Sequence, residues 1–181
     1  MSEGSPSGKD AGPTRVAVTG TPGTGKSTAT ALLEDAYDVI HLNDLIKGDE
    51  ALWTERDAER DTLVADLDAV RERLGDWTGV LDSHLAHRFD ADRVVVLRCH
   101  PETVETRLRE RGEPDATATE NAESEALDVV LSEAVAEHGV ENVYEIDTTD
   151  RDPAAVAAEI RAAVEGEREP SAGTVDFMEY I

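Results

Sequence analysis

The residues best suited to chemistry are Gly20-Thr21-Pro22-Gly23-Thr24-Gly25-Lys26-Ser27-Thr28, which fit the pattern G-x-x-x-x-G-K-[ST]. Small residues let the backbone curl so that successive N–H groups point inward at a phosphate. A helix starting at the loop's end adds its positive terminus. Lys26 would reach the β- and γ-phosphates, and the Ser27 hydroxyl would hold Mg²⁺. The surroundings agree. Arg15–Thr19 reads as a buried strand, and Ser27–Ala36 carries apolar residues at helical spacing at Ala29, Leu32, Leu33 and Ala36.

Three further groups could join this loop. Asp82 closes an apolar strand, Gly79–Asp82, where a phosphate-loop enzyme places the acid that orients hydrated Mg²⁺. His84 stands two residues on, and a neutral imidazole there could position a water or relay a proton. Arg107 and Arg111, four apart, share a helix face and could fork onto phosphate oxygens, whereas Arg109 faces elsewhere as a surface group. His84, His87, Cys99 and His100 match no standard zinc spacing. The guanine-reading pattern N-K-x-D is absent, which argues for a small kinase or ATPase over a GTP switch.

Composition narrows the setting. Across 181 residues, 17 Lys and Arg stand against 41 Asp and Glu, for a net charge of −24. Lysine occurs only at Lys9, Lys26 and Lys47, so a chain that has nearly abandoned lysine keeps one in the glycine loop. Such a surface suits molar salt, where the Debye length falls to about 3 Å and carboxylates repel little. It should repel phosphate backbones, so no direct grip on nucleic acid is expected. Cys99 is the sole cysteine, which excludes an intrachain disulfide. No run approaches membrane-spanning length, and the sequence points to the cytoplasm.

The elements that must position these groups alternate. Strands are predicted at 15–19, 39–42, 79–82, 93–98 and 143–147. Helices are predicted over 27–36, 54–74, from Pro101 to Arg111, through a stretch ending near His138-Gly139, and from Asp152-Pro153 onward. Residues 43–53 read as irregular. The fold class is therefore α/β, a phosphate-loop NTPase with a five-stranded parallel sheet and helices on both faces, whose ligands bind beyond the strands' carboxyl ends. The domain reading is a flexible leader at 1–14, a kinase domain at 15–165 and a C-terminal tail at 166–181, polar first and then apolar enough to dock on the body.

Taken together, these residues resemble the adenylate kinase isoform six family, small nucleoside monophosphate kinases and ATPases of archaea and eukaryotes. The resemblance runs from about Arg15 to Asp147. It is carried by Gly20–Thr28, Asn43-Asp44-Leu45, Asp82-Ser83-His84, Val96-Leu97-Arg98, Arg107-Leu108-Arg109-Glu110-Arg111-Gly112 and Glu120-Asn121-Ala122-Glu123-Ser124-Glu125-Ala126. The Asp-x-His pair is its discriminating piece.

The resemblance implies a nucleoside-kinase-type fold with a monophosphate-binding insert at about 42–66, including Asp44 and Lys47, and a lid at about 110–120. ATP would be held by Gly23, Thr24, Gly25, Lys26, Ser27, Thr28, Arg107 and Arg111. Catalysis would fall to Lys26, Asp82 and His84, with Mg²⁺ at Ser27 and Asp82. It implies ATP + AMP ⇌ 2 ADP with broad monophosphate acceptance, slow ATP hydrolysis, and action in late maturation of the small ribosomal subunit and its rRNA through transient binding of a platform ribosomal protein. The chain departs from the family in three places. Thr117 and Thr119 stand where a basic lid residue is usual, Glu113 where an aromatic is, and Lys47 where an arginine often is. Weaker phosphate grip follows. A small-metabolite kinase of the same fold, shikimate-kinase-like, and an assembly-factor ATPase with vestigial kinase activity are the alternatives.

Overall fold

Alternation along the central strands dictates a sheet covered on both sides. In β1 (Arg15–Thr19), Ala17 faces one layer while Val16 and Val18 face the other. In β6 (Arg93–Arg98), Val94 and Val96 join Ala17, and Val95 and Leu97 join Val16. Every side chain just named is fully buried. Apolar surface on both faces requires helices on both faces. The computed structural model describes residues 14–57 and 62–180. All of the leader but Thr14, residues 58–61 of the insert and Ile181 lie outside the described residues.

The main sheet is parallel. With β2 (Val39–His41), β5 (Gly79–Asp82) and β7 (Val143–Asp147), the order is β2-β5-β1-β6-β7. Helices α1 (Lys26–Ala31) and α7 (Pro153–Val164) pack against one face. The other is covered by α2 (Leu42–Lys47), α3 (Leu67–Leu74) and α6 (Val129–His138). From β1 the chain passes to one side of the sheet through β2 and β5, then to the other through β6 and β7. This reversal at β1 opens a crevice at the loop that follows it.

Four local readings are revised. Residues 54–74 are not one helix. They form an antiparallel hairpin, β3 (Trp53–Asp57) with β4 (Thr62–Ala65), and only then α3. The spacing of Leu63, Leu67, Val70 and Leu74 spans a strand–helix junction, where either element would turn the same residues inward. Asp66 caps α3 by accepting from the Ala69 N–H, which fixes where the helix can start. Residues 43–53 are mostly ordered, as α2 and a 3₁₀ turn at 50–52. The stretch ending at His138 is two helices, α5 (Asp115–Ala126) and α6, broken at Asp128, whose φ is 56°. The first helix is regular only to Ala31 and continues to Ala36 in tighter turns. The helix α4 (Pro101–Glu110) begins and ends as its proline and Gly112 predict.

Candidate functional site

The loop after β1 is shaped by two glycines for different reasons. Gly25 has φ of 88° at the N-cap of α1, a conformation that L side chains resist. A Cβ on Gly20 would stand 2.6 Å from the Leu97 carbonyl, so only glycine lets β1 leave this close to β6. The loop then folds around Lys26. Its Nζ donates to the carbonyls of Gly20 at 2.9 Å and Thr21 at 3.1 Å, and reaches Thr24 Oγ1 at 3.4 Å. Lys26 is 7% exposed. Burial pushes its ammonium down to about 8, with Asp82 and Glu125 opposing the fall.

Parallel pairing puts Asp82 level with Val18 and His41, immediately beneath the start of α1. Asp82 Oδ2 accepts from Ser27 Oγ at 3.0 Å, from Thr30 Oγ1 at 3.1 Å, and pairs with His41 Nδ1 at 2.7 Å. The other nitrogen of His41 pairs with Glu34 at 2.7 Å. Partial burial opposes the imidazolium, but the hydrogen bonds and charges of Glu34 and Asp82 prevail and raise the His41 pKa. A hydroxyl and a carboxylate in contact form a hard-oxygen pair that fits Mg²⁺, which takes its remaining ligands from phosphates and water. Among the described residues, no cluster of three His, Cys, Asp or Glu side chains could hold a metal unaided.

His84 lies partly buried beside the loop, on the wall of the main cavity. Burial pushes its imidazole down to about 4, reinforced by the charge of Lys26, so it is neutral at neutral pH. Its carbonyl accepts from Thr19 Oγ1 at 3.3 Å. Thr19 Oγ1 also lies 2.7 Å from His87 Nδ1, and His87 Nε2 lies 3.1 Å from Glu133 of α6.

Two cavities meet at the glycine loop. The larger, about 990 Å³, is lined by the loop, Lys26, Ser27 and His84. Asn43 and Lys47 of α2, Trp53 and Arg56 of β3, and Arg88 of the turn after β5 also line it, as do α5 residues Thr117, Asn121 and Ser124. The smaller, about 380 Å³, lies behind the loop between Arg107 and Arg111 on one side and Thr148, Arg151 and Pro153 on the other, and Thr24 and Thr28 line it. Gly23, Gly25 and Arg111 belong to both. Among the described residues, seven of the chain's 17 basic side chains line these cavities, against four of its 41 acidic ones. A molecule with charge −24 thus concentrates its cations around one space.

Residues 16–128 match a sequence family described as an AAA domain. The chain is 64% identical over 168 residues to "Putative adenylate kinase" of Natronomonas pharaonis, a match covering 92% of this chain and 99% of that protein. The protein of the same name from Halobacterium salinarum is 60% identical over 169 residues, with the same coverage. That of Pyrococcus abyssi is 39% identical over 167 residues and 91% of each chain. The chain belongs to the adenylate kinase family that these proteins form. A sulfotransferase from Alicyclobacillus acidocaldarius shares the fold, with a TM-score of 0.52 over 91% of this chain and 86% of that one, at 14% identity.

Of the residues singled out in the sequence, the structure gathers Gly23, Gly25, Lys26, Ser27, His84, Lys47 and Arg111 on one cavity, with Asp82 beneath it. Arg107 donates to the Gly23 carbonyl at 3.1 Å and so braces the loop from behind. Arg109 is a surface group, paired with Glu105 and Asp115. Asp44 is exposed on α2, outside the lining, and its neighbour Asn43 lines the cavity instead, accepting from Ser83 Oγ at 2.9 Å. Sequence reading missed His41, Trp53, Arg56 and Arg88, and named Asn43 only as part of the family pattern. Thr148 and Arg151 follow the last strand at the ligand-binding edge, which is a signal. Single arginines at 56 and 88 carried none. Among the described residues no helix is long and apolar enough to cross a membrane.

Proposed function

We propose that this chain is a nucleoside monophosphate kinase of the isoform six type, transferring the γ-phosphoryl of Mg·ATP to AMP and related monophosphates, with slow ATP hydrolysis as a second outcome. One observation carries the reading: a single cavity is lined both by the glycine loop and by a second set of cationic and aromatic side chains from other elements, Lys47, Trp53, Arg56 and Arg88. A hydrolase of ATP alone has no use for the second wall.

The triphosphate would lie along the loop amides of Gly23, Thr24, Gly25, Lys26, Ser27 and Thr28. The nucleoside would occupy the smaller cavity between Arg107, Arg111 and the turn at Thr148–Pro153. Lys26 and Arg111 neutralise charge that builds on the transferring phosphoryl. Ser27 and Asp82 would hold Mg²⁺, which supplies charge neutralisation and a template for the phosphate oxygens. The insert at about 42–66 would bind the acceptor monophosphate through Lys47, with Arg56 and Arg88 beside it. The lid at about 110–120 and the start of α5 would exclude water, as phosphoryl transfer requires. With the acceptor absent, His84, neutral and buried, can orient a water in its place.

The resemblance further supports a part in small-subunit maturation, with a platform ribosomal protein as transient partner and the cytoplasm as setting. The acidic exterior suits a basic protein partner and disfavours bare RNA. A coupled assay in concentrated KCl tests these readings together. ADP formation rising steeply with AMP supports the kinase. Stimulation by the ribosomal protein in place of AMP assigns the chain to assembly-factor ATPases. Acceleration only by an alcohol metabolite refutes both.

A further inference from the structure

The segment 120–126 figures in the family pattern, yet its most buried member has no part in the reading above. Glu125 sits near the C-terminal end of α5 and is 1% exposed. Both its oxygens are committed. Oε1 accepts from Thr21 Oγ1 at 2.8 Å, across 104 residues of chain. Oε2 accepts from the Cys99 N–H at 2.8 Å and from Arg98 Nε at 3.1 Å. Arg98, equally buried, also donates to Glu145 and Asp128 at 2.6 Å each and to the Glu125 carbonyl at 2.9 Å. The carboxylate cannot turn without leaving a buried donor unpaired.

What this bond joins is informative. Thr21 is the hub of the glycine loop: its carbonyl accepts from the Thr24 N–H, Thr24 Oγ1 and Lys26 Nζ. Helix α5 forms the outer wall of the cavity through Thr117, Asn121 and Ser124. Its opposite face is a stripe of buried alanines, Ala118, Ala122 and Ala126, with Ala118 packed on Val104 and Leu108 of α4. Alanines interlock poorly, so packing alone leaves the tilt of α5 weakly specified. Glu125 supplies a directional contact between α5 and the loop.

We infer that Glu125 is a positioning residue that fixes α5 to the glycine loop through Thr21, so that nucleotide seated on the loop orders α5 over the cavity. The inference rests on the proposed nucleotide site, and the test separates the two. Thr21→Val removes the hydroxyl at nearly constant volume and leaves Glu125 held by Arg98 and Cys99, while Thr21→Ser keeps the hydroxyl. Hydrogen exchange of α5 is followed with and without Mg·ATP, together with ATP affinity and kcat. In the unmodified protein ATP slows exchange across 115–124.

Thr21→Val is expected to bind ATP within about threefold of the unmodified protein, to lose that protection and to drop kcat about tenfold, the scale of one hydrogen bond to a carboxylate. Thr21→Ser restores protection and stays within about twofold in kcat. Glu125→Gln, which keeps the volume but replaces one acceptor by a donor, reproduces the loss. A Thr21→Val variant with full protection and full kcat overturns the inference while leaving the kinase reading intact, as does a loss seen only with Glu125→Gln. Failure of the unmodified protein to bind ATP overturns both.

Discussion

The two walls of the cavity are built by different means. The loop wall is nine consecutive residues, anchored by strand pairing at β1 and by Asp82 one strand away. The second wall gathers Asn43, Trp53, Arg56 and Arg88 from a short helix, a hairpin and a post-strand turn, and its cations come from exposed or half-buried positions. A wall of main-chain amides cannot move or mutate far without losing its function, which suits the invariant part of the substrate, the triphosphate. A wall of long side chains can readjust, which suits the broad monophosphate acceptance proposed above.

The largest effect should come from the loop wall. Lys26→Ala removes the loop ammonium proposed to meet the transferring phosphoryl and should lower ADP formation by about 100-fold or more. Its circular dichroism should match that of the unmodified protein, because both hydrophobic layers of the sheet are built without Lys26. A milder loss would mean that the cations of the second wall carry more of the charge stabilisation than proposed.

His84→Gly should come next. ATP hydrolysis measured without acceptor should fall by roughly 100-fold, while transfer to AMP falls less, since an acceptor phosphate needs no water to be oriented. Equal losses in the two assays would place His84 in the transfer step itself.

On the second wall, Arg88→Ala and Arg56→Ala should raise KM for the monophosphate by about tenfold and leave KM for ATP near its starting value. Arg88 also pairs with Glu133 and Glu137, so Arg88→Lys serves as the control for lost structure. A rise in KM for ATP alone would reverse the assignment of the two walls.

A smaller signal sharpens the contrast through pH. Burial lowers Lys26 to about 8, and bound phosphates favour the ammonium. Free protein is then part-neutral at Lys26 near pH 8, and binding of Mg·ATP should take up about half a proton there. Calorimetry in buffers of different ionisation heat would detect the uptake, and Lys26→Met should abolish it. No uptake would mean that Lys26 is charged before nucleotide arrives. Raising KCl from roughly 0.1 M to roughly 3 M should raise Tm, by screening a net charge of −24, more than it weakens nucleotide binding inside the cavity.

The division between legible and hidden parts follows the same two walls. Gly20 to Thr28, the alternating strands and the boundaries of α4 were all readable, because each depends on residues within a few positions of one another. The hairpin at 53–65 was hidden, because Leu63 and Leu67 satisfy helical spacing by accident across a junction. The break at Asp128 was hidden because Arg98, thirty residues earlier, takes the carbonyl of Glu125 and the carboxylate of Asp128. The docking of the tail was foreseeable from its apolar end but not its partners: the Thr174 and Val175 N–H groups donate to Glu145 at 2.7 and 3.1 Å, and Phe177 lies under Arg98.

The sequence by itself determined a phosphate-gripping loop between a strand and a helix, a five-stranded parallel sheet around it and an exterior of overwhelming negative charge, since these follow from local backbone chemistry and composition. Only the tertiary structure decided that Asp82 stands under Ser27 with His41 on its flank, that Glu125 holds Thr21, and that arginines 56 and 88 line the same cavity as the loop. Those contacts join residues 41 to 104 positions apart, or bring them to one cavity, and no spacing rule reaches that far.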